Sequence, residues 1–335
     1  MKLLITGATG LLGSEIVRQL KDYPGNGFVS FVRNQDQLDQ FDNPQLGDIL
    51  DYPSLLEAFE GINIVIHAAA KVSFSPKEKA ELFEANVDGT ANVVNACLEK
   101  GVKRLIYISS VAAIGRPEKD TDTKQPISIN ESNKWEDSPI NSEYAKSKYR
   151  AEQEVWRGQA EGLQTVILNP SVILGEADWK QSSTQLFNYV YQRNRFYTDG
   201  VINYVDVQDV ANAVIQLIDS DIEDKRYIMN AGSVTYAKFF GLMAKGFGVA
   251  PPKYKLKPFA IEILWRLEAI RAFIFRTSPL ITKETAVTAR AKIHFDNSRI
   301  KEDLQMEFIP LETSIKRVCN YLLTKNNQRL TVEQK

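Results

Sequence analysis

As far as about Pro170, short apolar runs alternate with stretches in which apolar residues recur at helical spacing. Lys2-Leu3-Leu4-Ile5, Phe28 to Val32, Ile62 to His67, Arg104 to Ile108 and Thr165 to Leu168 are runs of four to six residues bounded by polar or glycine positions. Runs of that length and composition fit strands buried on both faces. Between them lie patterns such as Leu12, Ile16, Val17 and Leu20, which place apolar side chains on one face of a helix. The alternation predicts βαβ units, right-handed crossovers and a doubly wound parallel sheet of the α/β class. Further on, Tyr204-Val205-Asp206 reads as a strand leading into a helix capped by Asp206 or Asp209, and Arg226 to Asn230 reads as another sheet strand. No internal repeat or low-complexity tract interrupts the chain.

What stands between the runs carries the chemistry. The first strand enters Thr6-Gly7-Ala8-Thr9-Gly10-Leu11-Leu12-Gly13, directly before the first helical pattern. Glycines at such a corner allow a tight turn, a close approach of backbone to a pyrophosphate, and close packing of helix on strand, while the helix N-terminus offers free N–H groups to the anion. The second strand ends in Arg33-Asn34, where an NAD enzyme usually carries an acid for the ribose 2′-hydroxyl; the nearest acid is Asp36. Arg33 can pair with a 2′-phosphate, which favours NADP(H) over NAD(H), or it is an ordinary solvated strand end. Asp48, in Leu46-Gly47-Asp48-Ile49, faces the adenine or caps the helix that starts at Asp51-Tyr52-Pro53. His67 ends the fourth strand and is read as structural, and Ala68-Ala69-Ala70 supply small residues beneath a cofactor.

The fifth strand delivers Ser109-Ser110 and then Val111-Ala112-Ala113-Ile114-Gly115; downstream stands Tyr144-Ala145-Lys146-Ser147-Lys148, whose spacing puts Tyr144 and Lys148 on one helix face. Tyr321 to Lys325 repeats that spacing with no serine strand before it, and is read as accidental. Taken in order, the glycine turn, the acid after strand three, the alanines after strand four, the serine after strand five and the Tyr/Lys helix resemble the extended short-chain dehydrogenase/reductase family. The resemblance implies an enzyme in which Tyr144 is the acid/base, Ser110 holds the reacting oxygen, and Lys148 favours the phenolate and bonds the nicotinamide ribose. It implies cofactor contacts at Gly7, Thr9, Gly10, Leu11, Leu12, Gly13, Arg33, Asp48, Ile49, Ala68, Ala69, Ala70, Tyr144, Lys148 and Pro170. Substrate contacts are expected at Lys71, Ser73, Ser110 and Val172, although Lys71 and Ser73 also read as a solvated loop.

Substrate class is read partly from what is missing. Dehydratases of the family carry Asp-Glu after the active-site hydroxyl residue; here Val111-Ala112 follow Ser110. Nucleotide-sugar epimerases place Arg and, three residues on, Asn after the sixth strand; here those positions hold Asn169 and Val172. Asn169-Pro170-Ser171-Val172-Ile173-Leu174-Gly175 looks closer to dihydroflavonol reductases, cinnamoyl-CoA reductases and 3β-hydroxysteroid dehydrogenases. The implied function is an NADP(H)-preferring oxidoreductase interconverting a carbonyl and an alcohol on a mainly apolar small molecule. The alternatives are a nucleotide-sugar epimerase that keeps its NAD(P) without net redox, and a dinucleotide-binding protein without turnover.

The chain has 335 residues, 44% hydrophobic and 25% charged, enough for a large core in two lobes. Residues 1–174 plus 201–231 are expected to form the Rossmann domain, 175–200 plus 232–325 a smaller discontinuous substrate lobe, and 326–335 a frayed tail. The formal net charge of −1 gives no reason to expect nucleic acid. Cys97 and Cys319 lie in apolar helical patterns without metal or redox spacing, no metal is expected, and the cytoplasm is the default location. Residues 259–276 are too charged to span a membrane and read as an amphipathic helix for core, pocket wall, dimer face or membrane surface. Arg116 to Asn141 reads as a partial lid or a surface excursion. A homodimer through Ala91 to Cys97 and Tyr144 to Val155 is a family expectation.

Overall fold

The computed structural model describes residues 1–23, 27–115, 127–138, 141–179, 181, 183–274 and 290–333. Its centre is a parallel sheet of strands β1 (Leu3–Thr6), β2 (Phe28–Val32), β3 (Pro44–Leu46), β4 (Ile64–His67), β5 (Arg104–Ile108), β7 (Gln164–Pro170) and β11 (Lys225–Met229). The spatial order is β11-β7-β5-β4-β1-β2-β3. Alternate side chains of each strand enter opposite layers. Leu3, Ile5, Ile64, Ile66 and Ile106 pack under helices α1 (Leu11–Lys21) and α7 (Val207–Asp219). Leu4, Val65, Leu105 and Tyr107 pack under α2 (Tyr52–Ala58), α4 (Gly89–Glu99) and α5 (Glu143–Ala160), with the short α3 (Lys79–Phe83) beside them in sequence. Burial on both faces is why these strands read as unbroken apolar runs rather than alternating ones.

β1 pairs with β2 on one side and with β4 on the other. The chain therefore reverses its direction of winding at β1, and a crevice opens beyond the carboxyl ends of β1 and β4, the place where open α/β sheets bind ligands. Both Gly7 and Ala68 follow those ends.

A second core joins Leu174, Phe187, Val190, Ile202, Phe239, Phe240, Met243, Leu311, Ile315 and Leu322. It is carried by a small sheet of β12 (Gly232–Thr235), β10 (Val201–Asp206) and β8 (Val172–Leu174), with α6 (Thr184–Tyr191), α8 (Tyr236–Phe247) and α11 (Leu311–Glu333). Here the structure differs from the sequence expectation: β10 pairs with β8 and β12 and not with the seven-stranded sheet, so residues 201–206 serve the smaller sheet while α7 returns to α1. Asp206 marks the crossing point: it caps α7 through the Gln208 N–H at 2.9 Å and accepts Arg317 of α11 at 2.8 Å. Asp209 instead accepts the Ile309 N–H at 3.0 Å.

Two minor ladders pair β9 (Phe196–Tyr197) with β13 (Tyr254–Lys255), and β6 (Ile127–Ile129) with β14 (Ile293–Phe295). The latter precedes α10 (Ser298–Leu304). Much of the segment read as a lid, 116–126 and 139–140, lies outside the described residues. Its described part is tied down at β11, where the Ile228 N–H donates to Glu131 at 2.9 Å. Of the tail expected to fray, residues 326–333 are instead helical, since α11 continues to Glu333, and 334–335 lie outside the described residues. The run read as amphipathic is α9 (Pro258–Ile274), with Glu262 and Arg266 paired at 2.7 Å and Phe259, Ile263 and Leu267 exposed. Among the described residues, no helix is long and apolar enough to cross a membrane. On the segments named for dimerisation, Val93, Val94, Ala96, Cys97, Ala151 and Val155 are spent on the chain's own core.

Candidate active site

The turn from β1 into α1 closes on itself. Gly10 N–H donates to Gly7 O at 3.0 Å and Ser14 N–H to Gly10 O at 2.9 Å. Gly7 sits at φ +73°, and a Cβ there would lie 2.6 Å from Ala69 N. A Cβ on Gly13 would stand 2.0 Å from Gly7 O, so helix and turn approach as only glycine permits. At Gly10 the nearest atom to such a Cβ is 3.4 Å away, which leaves that backbone open for a ligand. The first turn of α1 has neither a side-chain cap nor an acidic residue. Its N–H groups and dipole therefore face the crevice uncompensated, a combination that suits an anion.

The crevice is a groove of about 640 Å³ whose walls include Thr9, Gly10, Arg33, Asn34, Asp48, Ile49, Ala68, Ala69, Ala70 and Lys71. Arg33 and Asn34 close one end beyond β2; Asp36, next along, is exposed in the first turn of the helical segment Gln35–Gln40 and is not part of the wall. Asp48 both borders the groove and folds its own loop, accepting the Leu50 N–H at 3.0 Å. Leu12 is buried in the sheet core, and Leu11 packs against Gly175. The uncapped helix end, the cradle at Gly10 and the groove's length suit a dinucleotide.

Beyond the other wall, Ser110 stands two residues past the end of β5 and caps a short helical turn, its Oγ accepting the Ala112 N–H at 3.2 Å. α5 starts at the Ser142 cap and presents Tyr144 and Lys148 one turn apart. The structure pairs Tyr144 with Ser110 by a hydrogen bond, whereas the buried Lys148 Nζ donates to Tyr107 OH at 2.7 Å and Ile108 O at 2.9 Å. Burial raises the Tyr144 phenol above its ordinary value, opposed by the Ser110 hydrogen bond. Burial likewise lowers Lys148 to about 7, opposed by the charge of Glu152. In this geometry desolvation by burial is the larger influence on the phenol and the Ser110 hydrogen bond the smaller, so the protonated form is favoured.

Other expected contacts are engaged elsewhere. The Lys71 ammonium is paired with Glu81 and lies 3.6 Å from Glu78. Ser73 Oγ accepts the Ser75 N–H at 3.1 Å. Pro170 is buried at the end of β7, and Val172 on β8 is 37% exposed. The second Tyr-x-x-x-Lys match lies on α11 in the smaller lobe, where Lys325 pairs with Asp178.

Three features escaped the sequence reading. Phe74 places its ring edge against the Tyr144 ring, with centroids 5.8 Å apart at 65°; the signal was an aromatic in a loop that follows a strand's carboxyl end. Glu152, fully buried, accepts Asn169 Nδ2 at 2.5 Å and Arg226 at 3.2 Å, and Asn169 also donates to Ser110 O at 2.8 Å. Glu152 stands one helical turn beyond Lys148, so the same periodicity that paired Tyr144 with Lys148 pointed to it. Third, Asn86 clasps the backbone of Lys71 in both directions, at 2.8 and 2.9 Å, and donates to Ser147 at 3.0 Å.

Residues 3–232 match the NAD dependent epimerase/dehydratase family. Sterol demethylase protein B of Methylococcus capsulatus is 26% identical over 323 residues, covering 93% of this chain and 95% of that protein. Cinnamoyl-CoA reductase 1 of Petunia hybrida is 28% identical over 347 residues, covering 96% and 92%. Among solved structures, the UDP-glucose 4-epimerase of Thermotoga maritima superposes with a TM-score of 0.77 over 97% of this chain and 99% of its own, at 19% identity, a likeness of fold.

Proposed function

We propose a reaction from one premise: the chain belongs to the NAD dependent epimerase/dehydratase family, and is an enzyme of the extended short-chain dehydrogenase/reductase type. The reaction is interconversion of a carbonyl and an alcohol on a mainly apolar small molecule, with NADP(H) preferred. The observation that carries the substrate class is Phe74, whose ring lies against Tyr144 and is 38% exposed, with the neighbouring Val72 64% exposed. Apolar side chains left in water beside the proton donor are worth covering with an apolar ligand. Relatives named for sterols and cinnamoyl-CoA are consistent with that class.

The turn from Gly7 to Gly13 and the N-terminus of α1 would hold the pyrophosphate, Asp48 and Ile49 would take the adenine end, and Arg33 would pair with a 2′-phosphate. When bound, the dinucleotide supplies or accepts a hydride. The rest is done by the chain. Ser110 donates to the substrate oxygen and fixes its position. Tyr144, kept protonated by burial, gives its proton to that oxygen as charge develops, and takes it back in the oxidative direction. Lys148 lends positive charge beside the phenol, which stabilises the phenolate left after transfer. Glu152 and Asn169 hold the Ser110 carbonyl and so fix where the serine stands.

The test is nicotinamide absorbance over time with purified protein and NADPH, against aromatic and alicyclic ketones, acyl-CoA thioesters and UDP- or dTDP-sugars, with product analysis. Net consumption with a ketone or thioester is expected, and Tyr144→Phe should lower that kcat by roughly 10²- to 10⁴-fold. A sugar epimer formed without consumption makes the protein an epimerase instead. Tight dinucleotide binding with no turnover of any compound makes it a non-catalytic binder.

A further inference from the structure

Beneath the site lies a buried set of hydrogen bonds whose directions are all forced. Thr90 Oγ1 is 2.6 Å from the Asn86 carbonyl and 3.1 Å from His67 Nε2, and it hydrogen-bonds the Tyr107 hydroxyl. A hydroxyl has one hydrogen, and a carbonyl only accepts, so that hydrogen belongs to Asn86. Thr90 then meets both other partners with lone pairs alone. Each must donate: His67 carries its hydrogen on Nε2, and the Tyr107 O–H is aimed at Thr90. His67 is fully buried, and desolvation together with the charge of Lys148 lowers it to about 3, so the ring is neutral and Nδ1 is bare. Nδ1 therefore accepts from Thr6 Oγ1 at 2.7 Å, and Thr6 in turn accepts the Ala69 N–H at 3.3 Å. With its own hydrogen committed to Thr90, the Tyr107 oxygen has only lone pairs to offer Lys148.

We propose that the chain His67–Thr90–Tyr107 makes Tyr107 a positioning residue that holds Lys148 as a charged ammonium, with two N–H groups fixed on Tyr107 and Ile108 and one left for the reaction site. The inference rests on the reading above only in assigning Lys148 a use for its charge. Both hydrogen-bond partners of Nζ are acceptors; a neutral amine has hydrogens enough for the two, but each bond is stronger from the ammonium, so the pair of acceptors favours the charged form. That matters because burial alone drives Lys148 towards the neutral form near physiological pH. The charged or titratable groups facing it are Tyr107 from β5, His67 from β4, and Tyr144 and Glu152 from α5, the last already paired with Arg226 from β11. The same bonds join the glycine corner at Thr6 to the lysine helix across two strands, without touching substrate.

The experiment is a pH titration of Lys148 by NMR in the full-length protein, without cofactor or substrate, using 13Cε-labelled lysine and assigning the resonance by its loss in Lys148→Arg. In Tyr107→Phe the midpoint is expected to fall by about one to two pH units, the worth of one hydrogen bond to a charged group. Thr90→Val should move it in the same direction by less, since it releases the Tyr107 hydrogen, and Thr90→Ser should restore it. In turnover, the alkaline limb of the kcat profile should move by the same amount in Tyr107→Phe while the KM for dinucleotide holds. An unmoved Lys148 midpoint in Tyr107→Phe overturns the proposal. Should that variant not fold, the Thr90 pair decides, and equal behaviour of Val and Ser overturns it. Because the titration uses no substrate, its result is separate from whether the reaction is reductase or epimerase chemistry.

Discussion

At the dinucleotide end, Gly7, Gly10 and Gly13 meet within one strand-to-helix corner, where a single added carbon on Gly13 would lie 2.0 Å from a carbonyl oxygen. At the substrate end, the core needs Leu174, Phe187, Ile202, Phe239 and Leu322, drawn from half the length of the chain. The first region recognises its ligand with backbone N–H groups and a helix dipole, so the residue types permitted there are few. The second is held together by apolar side chains, for which many apolar substitutes pack equally well. A family can therefore keep one cofactor corner and change substrates at the other end.

Substitution at the corner should break this contrast most severely. Gly13→Ala is expected to destabilise the fold by about 3 kcal/mol, because the displaced atoms are backbone and cannot rotate away. Dinucleotide binding should be lost with it, since the turn that shapes Gly10 must open. Urea unfolding and fluorescence titration with NADPH measure both effects. A variant as stable as the parent that binds normally would show the corner to be more pliant than its contacts imply.

That contrast also explains what was legible in the sequence. The seven strands, the glycine turn, Ser110 and the Tyr144/Lys148 pair were readable because each is set by residues near one another in the chain, through period, spacing or glycine geometry. Placement of β10 was not: Val201 to Asp206 has the same apolar character as a strand of the main sheet, and only its pairing with Val172 to Leu174 and Gly232 to Thr235 distinguishes it. His67 read as structural from its strand-end position, yet its role depends on Thr90 and Thr6, residues 23 and 61 positions away. Phe74 carries no signal in the sequence of its contact with Tyr144, since only the fold puts that residue beside it.

Within the groove, Arg33 is where the proposed cofactor preference rests on a side chain rather than on backbone. It borders the groove beyond the end of β2. Arg33→Asp replaces a charge-assisted partner for a 2′-phosphate with a like charge, and should shift the NADPH:NADH affinity ratio towards NADH on the order of 30-fold. Binding titrations with both dinucleotides read the ratio directly, and an unchanged ratio removes Arg33 from cofactor choice.

The smallest expected effect is at the opposite end, and it sharpens the contrast most. Phe74→Ala removes a ring that is 38% exposed, so little packing within the protein is lost and stability should change little. What is lost is apolar surface offered to the substrate beside Tyr144, about 1 kcal/mol for a partly covered ring, or roughly fivefold in affinity. The loss should appear as a higher KM for an apolar carbonyl substrate, with kcat and dinucleotide KM unchanged, since the ring contacts ground state and transition state alike. A fall in kcat at constant KM would mean instead that Phe74 sets the orientation of the Tyr144 ring, and that the substrate side is as tightly constrained as the glycine corner.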